Sequence, residues 1–268
     1  MGADMSTLSS LISGGGGALP QIALTQSQTW VPPQDGNVCI HVIGGGGGGF
    51  GGDDSSPYGG GAGGYCKQTS LAVTTAGSFT IVVGAAGTFG SNNQNGGAGG
   101  NSTVAGTGLS STLTANGGAG GTGSAGGAGG TASNATVNFT GGAGANGGGG
   151  AVGVYGTGNS ASGNAGGLTD SLGDQAMSGY GYIYGGLNGV RWFNQSSSNA
   201  LPSMYNQNAK GWLSGGAKYD TNGGSAFALG GNAIIGGGGG PAYTPSTAGW
   251  GFGGSGGAGI VLIQYLPS

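Results

Sequence analysis

Strict alternation of apolar and polar positions marks only a few stretches of this chain. Asn37 to Ile43, NVCIHVI, puts Val38, Ile40 and Val42 on one face and Cys39, His41 and Ile43 on the other, the two-residue period of a strand. Tyr65 to Val73 and Ser78 to Val83, joined across Thr75-Ala76-Gly77, read as two more strands of the same small antiparallel sheet. Near the C-terminus the run around Ile260 to Ile263 completes it, so Val38, Ile40, Val42, Phe79, Ile81, Val83, Ile260 and Leu262 are the expected apolar layers. Trp30, just before the stiff Pro32-Pro33 and Asp35-Gly36 turn, reads as a core anchor.

Between these strands the period is three. In Gly117 to Gly130, GGAGGTGSAGGAGG, glycine recurs at 117, 120, 123, 126 and 129, with 118, 121, 127 and 130 filling most of a second register. Neither the 3.6-residue period of a helix nor the two-residue period of a strand produces this. Three residues per turn is the repeat of polyproline II, whose backbone groups point outward and make no bonds within the segment. Several such segments side by side can pair N–H with C=O laterally, provided no side chains hold the backbones apart. Gly44 to Gly64, Gly96 to Gly100, Gly141 to Gly150 and Gly236 to Gly240 repeat the pattern between Ser-, Thr- and Asn-rich spacers. The expected fold is mainly β and irregular: a polyglycine II-type bundle or sandwich capped by a small antiparallel sheet, with little helix.

Composition decides between order and disorder. Glycine (76 residues) and proline (8) together fall inside the range of low-complexity chains. Disordered chains, however, combine low hydrophobicity with high charge, whereas here 35% of residues are hydrophobic and 4% charged. Uninterrupted Gly-X-Y with abundant proline, the requirement of collagen, is absent. With only Lys67, Lys210, Lys218 and Arg191 there is no basic patch for nucleic acid. No apolar run approaches the length needed for membrane insertion, and Met1 to Ser13 lacks the features of a signal peptide.

Two regions stand apart from the glycine body. Residues 1–27 read as an attachment peptide, with Leu8, Leu11 and Ile12 on one face of a short helix, followed by the flexible joint Gly14 to Gly17; the body is 28–268. Within it, 168–227 is an aromatic-rich insertion: Tyr180, Tyr182 and Tyr184 alternate along one face if extended, and Arg191, Trp192, Phe193, Tyr205, Trp212 and Tyr219 follow. Such residues form either a small core beneath loops or a recognition surface, since aromatics give large contact area at low entropic cost.

The order of these motifs resembles a known family. Trp30 and its prolines, a short strand entering polyglycine, GGGAGGYCKQTSLAV, a turn, SFTIVVGAAG, and GGSGGAGIVLIQY at the C-terminus are similar to the glycine-rich domain of tailed-phage tail-fibre proteins, and more loosely to the fibre-tip adhesins of T-even phages. The resemblance covers roughly 28–167 and 223–265, and the aromatic insertion departs from it. It implies a virion protein, made in the host cytoplasm, that displays loops to a bacterial surface receptor, a sugar or an outer-membrane protein. Its other partners would be tail or fibre proteins, reached through Met1 to Ser13, or copies of itself. The alternatives are a purely structural fibre or collar protein and an ice-binding protein, the last requiring a flat Thr/Ala face that the sequence does not display.

Chemistry is sparse. His41 is the only imidazole, and no serine is marked out to pair with it, so no catalytic residue is expected. Asp170 and Asp174 lack the setting of a glycosidase pair, and Asp53-Asp54 reads as a solvated loop. Metal and cofactor are not expected. Cys39 and Cys66 flank the first polyglycine excursion; they are either a disulfide, should their strands run antiparallel, or two buried free thiols of a particle built in a reducing compartment.

Overall fold

The computed structural model describes residues 21–52, 58–145, 148–149, 152, 157–158, 160, 219–220, 227–229, 235–240, 242–243 and 250–267. Its strands, in chain order, are β1 (Gln21–Leu24), β2 (Gln28–Trp30), β3 (Gly36–Ile43), β4 (Gly51–Gly52), β5 (Tyr65–Val73), β6 (Phe79–Val82), β7 (Ser102–Gly106), β8 (Leu113–Ala115), β9 (Ala132–Ser133), β10 (Val137–Phe139), β11 (Tyr219–Asp220), β12 (Phe227–Leu229), β13 (Ala242–Tyr243), β14 (Trp250–Phe252) and β15 (Ile260–Tyr265). No helix occurs among the described residues.

Two five-stranded antiparallel sheets form one end of the molecule, in the orders β1-β15-β3-β5-β10 and β2-β6-β7-β8-β9. The expected single sheet is therefore two: β5 and β6, adjacent in sequence, part company at the Thr74 to Ser78 turn and enter different sheets. β1, the first described strand, pairs with β15 at the edge of its sheet. The main core joins both sheets, with Val38, Ile40, Val42, Leu71 and Val73 from one and Trp30, Phe79, Ile81, Val104 and Leu113 from the other. In β15 the alternation runs opposite to expectation. Val261, Ile263 and Tyr265 enter this core, while Ile260 and Leu262 face the other side with Ile43, Tyr65 and Val152. An apolar run such as IVLI has no polar residue to fix its phase, which only pairing with β3 decides.

From the sheets rise ten extended glycine segments, here called rods: rod 1 (44–50), rod 2 (58–64), rod 3 (84–90), rod 4 (96–100), rod 5 (117–121), rod 6 (126–130), rod 7 (141–145), rod 8 (148–149), rod 9 (236–240) and rod 10 (253–259). Their hydrogen bonds run between rods and rotate with the residue number. In rod 1 the N–H groups of Gly44, Gly47 and Phe50 donate to rod 2, those of Gly45 and Gly48 to rod 4, and those of Gly46 and Gly49 to rod 10. Its carbonyls accept from Gly87 and Gly90 of rod 3, Gly118 and Gly121 of rod 5 and Gly239 of rod 9. Rod 1 thus has six neighbours. Rod 2 has six as well: it donates to rods 5, 7 and 9 and accepts from rods 1, 6 and 8.

The remaining eight rods surround this pair in chain order, each antiparallel to the one before. Three layers result: rods 4, 5 and 6; rods 3, 1, 2 and 7; rods 10, 9 and 8. Side chains follow the open directions. Rod 1 is glycine throughout up to Phe50, and a Cβ on Gly45, Gly47 or Gly48 would overlap the carbonyl of Ala85, Ala119 or Thr88. Rods 4, 5 and 6, which face solvent on one side, each carry one exposed alanine, Ala98, Ala119 and Ala128. Rod 3, at the rim, buries Gly84, Gly87 and Gly90 and exposes Ala85, Ala86, Thr88 and Phe89.

β3, β6, β8 and β10 lead into rods 1, 3, 5 and 7, and rods 2, 4, 6 and 10 lead back into β5, β7, β9 and β15. The chain enters β1 from the sheet end and leaves β15 there, so the first and last described residues lie at one end and the rod turns at the other. Strand and rod rises of about 3.3 and 3.1 Å per residue separate the two ends by roughly 45 Å. Gly48→Ala or Gly61→Ala is expected to cost about 3 kcal/mol or more, because backbone carbonyls cannot yield to the added methyl, whereas Ala98→Ser should stay within about 0.5 kcal/mol. Urea-unfolding midpoints check both.

Candidate functional site

The end opposite the sheets carries the turns that join rod 3 to rod 4 and rod 5 to rod 6, Ser91 to Asn95 and Thr122 to Ala125. Rod 1 runs into β4, rod 9 into β13, and β14 leads into rod 10; β11, β13 and β4 pair in parallel, as do β12 and β14. Backbone pairing therefore brings Tyr219, Phe227, Tyr243, Trp250 and Phe252 to the same end as Phe50 and Phe89. Phe50 is buried, and its ring occupies the space beside Gly52 that a Cβ would need. Phe89 is 49% exposed and meets Phe252 edge-on, with ring centroids 6.2 Å apart at 70°.

The turn after Phe89 is Ser91-Asn92-Asn93-Gln94-Asn95. Asn92 and Asn93 have φ of 52° and 64°, a left-handed pair that asparagine tolerates better than most residues. The loop is tied at both ends: Asn93 N–H donates to the Gly51 carbonyl at 2.7 Å, and isolated bridges join Ser91 to Phe252 and Gly51 to Gln94. Its amides are exposed while its backbone is fixed.

Of the aromatics expected from sequence, Tyr219 lies in β11 at this end; Tyr180, Tyr182, Tyr184, Arg191, Trp192, Phe193, Tyr205 and Trp212 fall outside the described residues. Sequence reasoning passed over Phe89, Phe252, Tyr243 and Trp250. A signal for two of them was present, since Phe89 and Phe252 sit directly against a rod glycine, where a glycine run meets the turn.

The chemically distinct cluster lies elsewhere, on the outer face of the β1-β15-β3-β5-β10 sheet. His41 Nδ1 is 2.7 Å from Tyr65 Oη, and its Nε2 is 3.4 Å from Cys39 Sγ. A neutral imidazole has one donor and one acceptor nitrogen, so thiol, imidazole and phenol form one chain whichever nitrogen holds the proton. Burial, with a smaller push from Lys67, holds His41 below its usual range. Burial also raises the Cys39 thiol, against a smaller opposing pull from Lys67. Neutral forms are favoured on both groups, the reverse of an activated cysteine–histidine pair.

No disulfide joins Cys39 to Cys66: both are free and buried. β3 and β5 are antiparallel as the bridge required, but Cys66 lies opposite Val42 and enters the main core, whereas Cys39 lies opposite Gln264 and shares the other face with His41. Side chains on opposite faces of a sheet cannot be bridged. Burial pushes the Cys66 thiol up to about 12. Among the described residues no three His, Cys, Asp or Glu side chains are grouped to hold a metal.

His41 makes a testable contribution to stability. Its proton is bound more weakly in the folded chain than in the unfolded one, so stability is greatest above the unfolded value of about 6.5 and falls as pH drops through it towards the folded value. This is the only histidine and the chain has no glutamate, which leaves that pH window uncluttered. Melting temperature should fall from pH 7.5 to pH 5.5, and His41→Gln should flatten that slope.

The family model described as a glycine-rich domain matches residues 22–266. No curated protein matches the chain. That match spans both sheets and the rods, from β1 to β15, and the chain belongs to the glycine-rich domain family.

Proposed function

We propose that this chain is a non-enzymatic virion protein of a tailed phage, an adhesin that holds loops on a stiff glycine scaffold for contact with a bacterial surface receptor. The observation carrying this reading is polarity. The described turns between rods and a half-exposed phenylalanine lie at one end, and β1, the first described strand after the expected attachment peptide Met1 to Ser13 in the sequence, begins at the other. A support that fixes its loops before contact lowers the ordering cost of binding. The rods are read as polyglycine II segments packed as a bundle beside a sheet sandwich. Supporting this, donors rotate among three neighbours with a three-residue period, and the two inner rods each have six neighbours. Free, buried thiols suit assembly in a reducing host cytoplasm.

The purified chain should bind cells of its host strain saturably and compete with whole particles for adsorption. A variant lacking 168–227, checked for folding by circular dichroism, locates the receptor contact: loss of binding places it in that segment, and retained binding leaves it with the rod turns. A chain that binds no cell, yet whose absence prevents fibre assembly, is a structural component.

One observation favours ice binding as a second reading. Rods 4, 5 and 6 form a layer whose solvent-facing positions fall in rows, the exposed Ala98, Ala119 and Ala128 in the middle, with exposed Asn95 and Ala125 flanking half-buried Thr122 towards the turns and exposed Asn101 and Thr131 flanking half-buried Asn116 towards the sheets. Thermal hysteresis in dilute solution would carry that reading, and its absence removes it.

A further inference from the structure

We propose that the turn around Phe89 is a binding site for a neutral saccharide; this rests on the adhesin reading and narrows its receptor to surface glycan. The site is one aromatic ring beside five consecutive hydrogen-bonding residues, Ser91-Asn92-Asn93-Gln94-Asn95. A sugar ring presents C–H groups on its faces and hydroxyls around its edge. The first need an apolar plate and the second need groups that both donate and accept, as primary amides do. Phe89 is the plate: it is half exposed, and the edge-on contact with Phe252 and the buried Gly87 and Gly90 on either side limit its movement. The amides stand on a loop held by the Asn93 to Gly51 hydrogen bond and the two flanking bridges, so binding orders little further backbone.

Two comparisons select this ligand. A protein partner needs about 800 Å² per side with an apolar centre. Of the residues at this end whose side chains are described, Phe89 is the exposed large hydrophobic, for Phe50 is buried, Phe252 is half-buried, and Val31 and Val82 belong to the sheet end. A single ring on a fixed turn matches one or two sugar units better than an apolar centre of that size. An acidic saccharide calls for Arg or Lys. None occurs among the described residues at this end, where Lys67 belongs to the sheet face.

The test uses the full chain on an array of neutral and acidic oligosaccharides, and on host cells whose surface has been oxidised with periodate or digested with protease. Binding is expected to neutral glycans, to be lost more than tenfold in Phe89→Ala, to survive in Phe89→Trp, and on cells to be abolished by periodate but not by protease. Phe89 is exposed, so unchanged melting temperatures should show that both variants fold. Cell binding that resists periodate and succumbs to protease overturns the saccharide site while leaving the adhesin reading intact. So does glycan binding that Phe89→Ala does not change. A chain that binds neither glycan nor cell overturns both.

Discussion

The residues of the two inner rods are buried apart from Tyr58, so their peptide groups depend on other segments for partners. An unpaired buried N–H or C=O costs about 1–3 kcal/mol, and every N–H of both rods donates to another segment. The geometry that pairs them puts neighbouring backbones so close that a single methyl would overlap a carbonyl. Glycine abundance here is thus a packing requirement, the counterpart of large apolar residues in an ordinary core. The apolar core proper is confined to the space between the two sheets, where Trp30, Phe79 and Ile81 meet Val38, Ile40 and Val42.

How much of this could be read from residues alone depends on whether the signal was local. The three-residue glycine period is local, and so is the alternation of β3, and both are found where expected. Sheet membership is not. β5 and β6 are separated by one turn, yet the choice between one sheet and two depends on β7, β8 and β15 arriving as partners. The phase of β15 had the same origin, because an unbroken apolar run leaves either face equally suitable. The cysteine pair shows a finer limit. Antiparallel strands were foreseen, but register determines the face, and a shift of one residue reverses it. At the turn end, the contact of Phe89 with Phe252 has no local signal, because it arises only when the rods bring residues so far apart in sequence side by side.

Charge plays an unusually small part. Among the described residues Lys67, opposite His41 in the β3–β5 ladder, bears on the one titrating cluster; burial outweighs it at Cys39 and acts in the same direction, more strongly, at His41. The cluster therefore stays neutral, joining three polar side chains on a sheet face without exposing a nucleophile. The recognition proposed for the far end would likewise rest on shape and hydrogen bonding, a scheme little affected by salt.

The order of the rods also has a kinetic side. The first two rods to be synthesised are the ones that end up enclosed, and the ring around them is closed by rod 10, while β15 slides between β1 and β3 at the centre of its sheet. Contacts between residues more than two hundred positions apart are thus needed before the earliest glycines lose contact with water. Pairing over such separations makes for slow folding, and what waits unpaired meanwhile is mostly backbone, since the inner rods hold no apolar side chain larger than alanine apart from Phe50 and Tyr58 at their far ends.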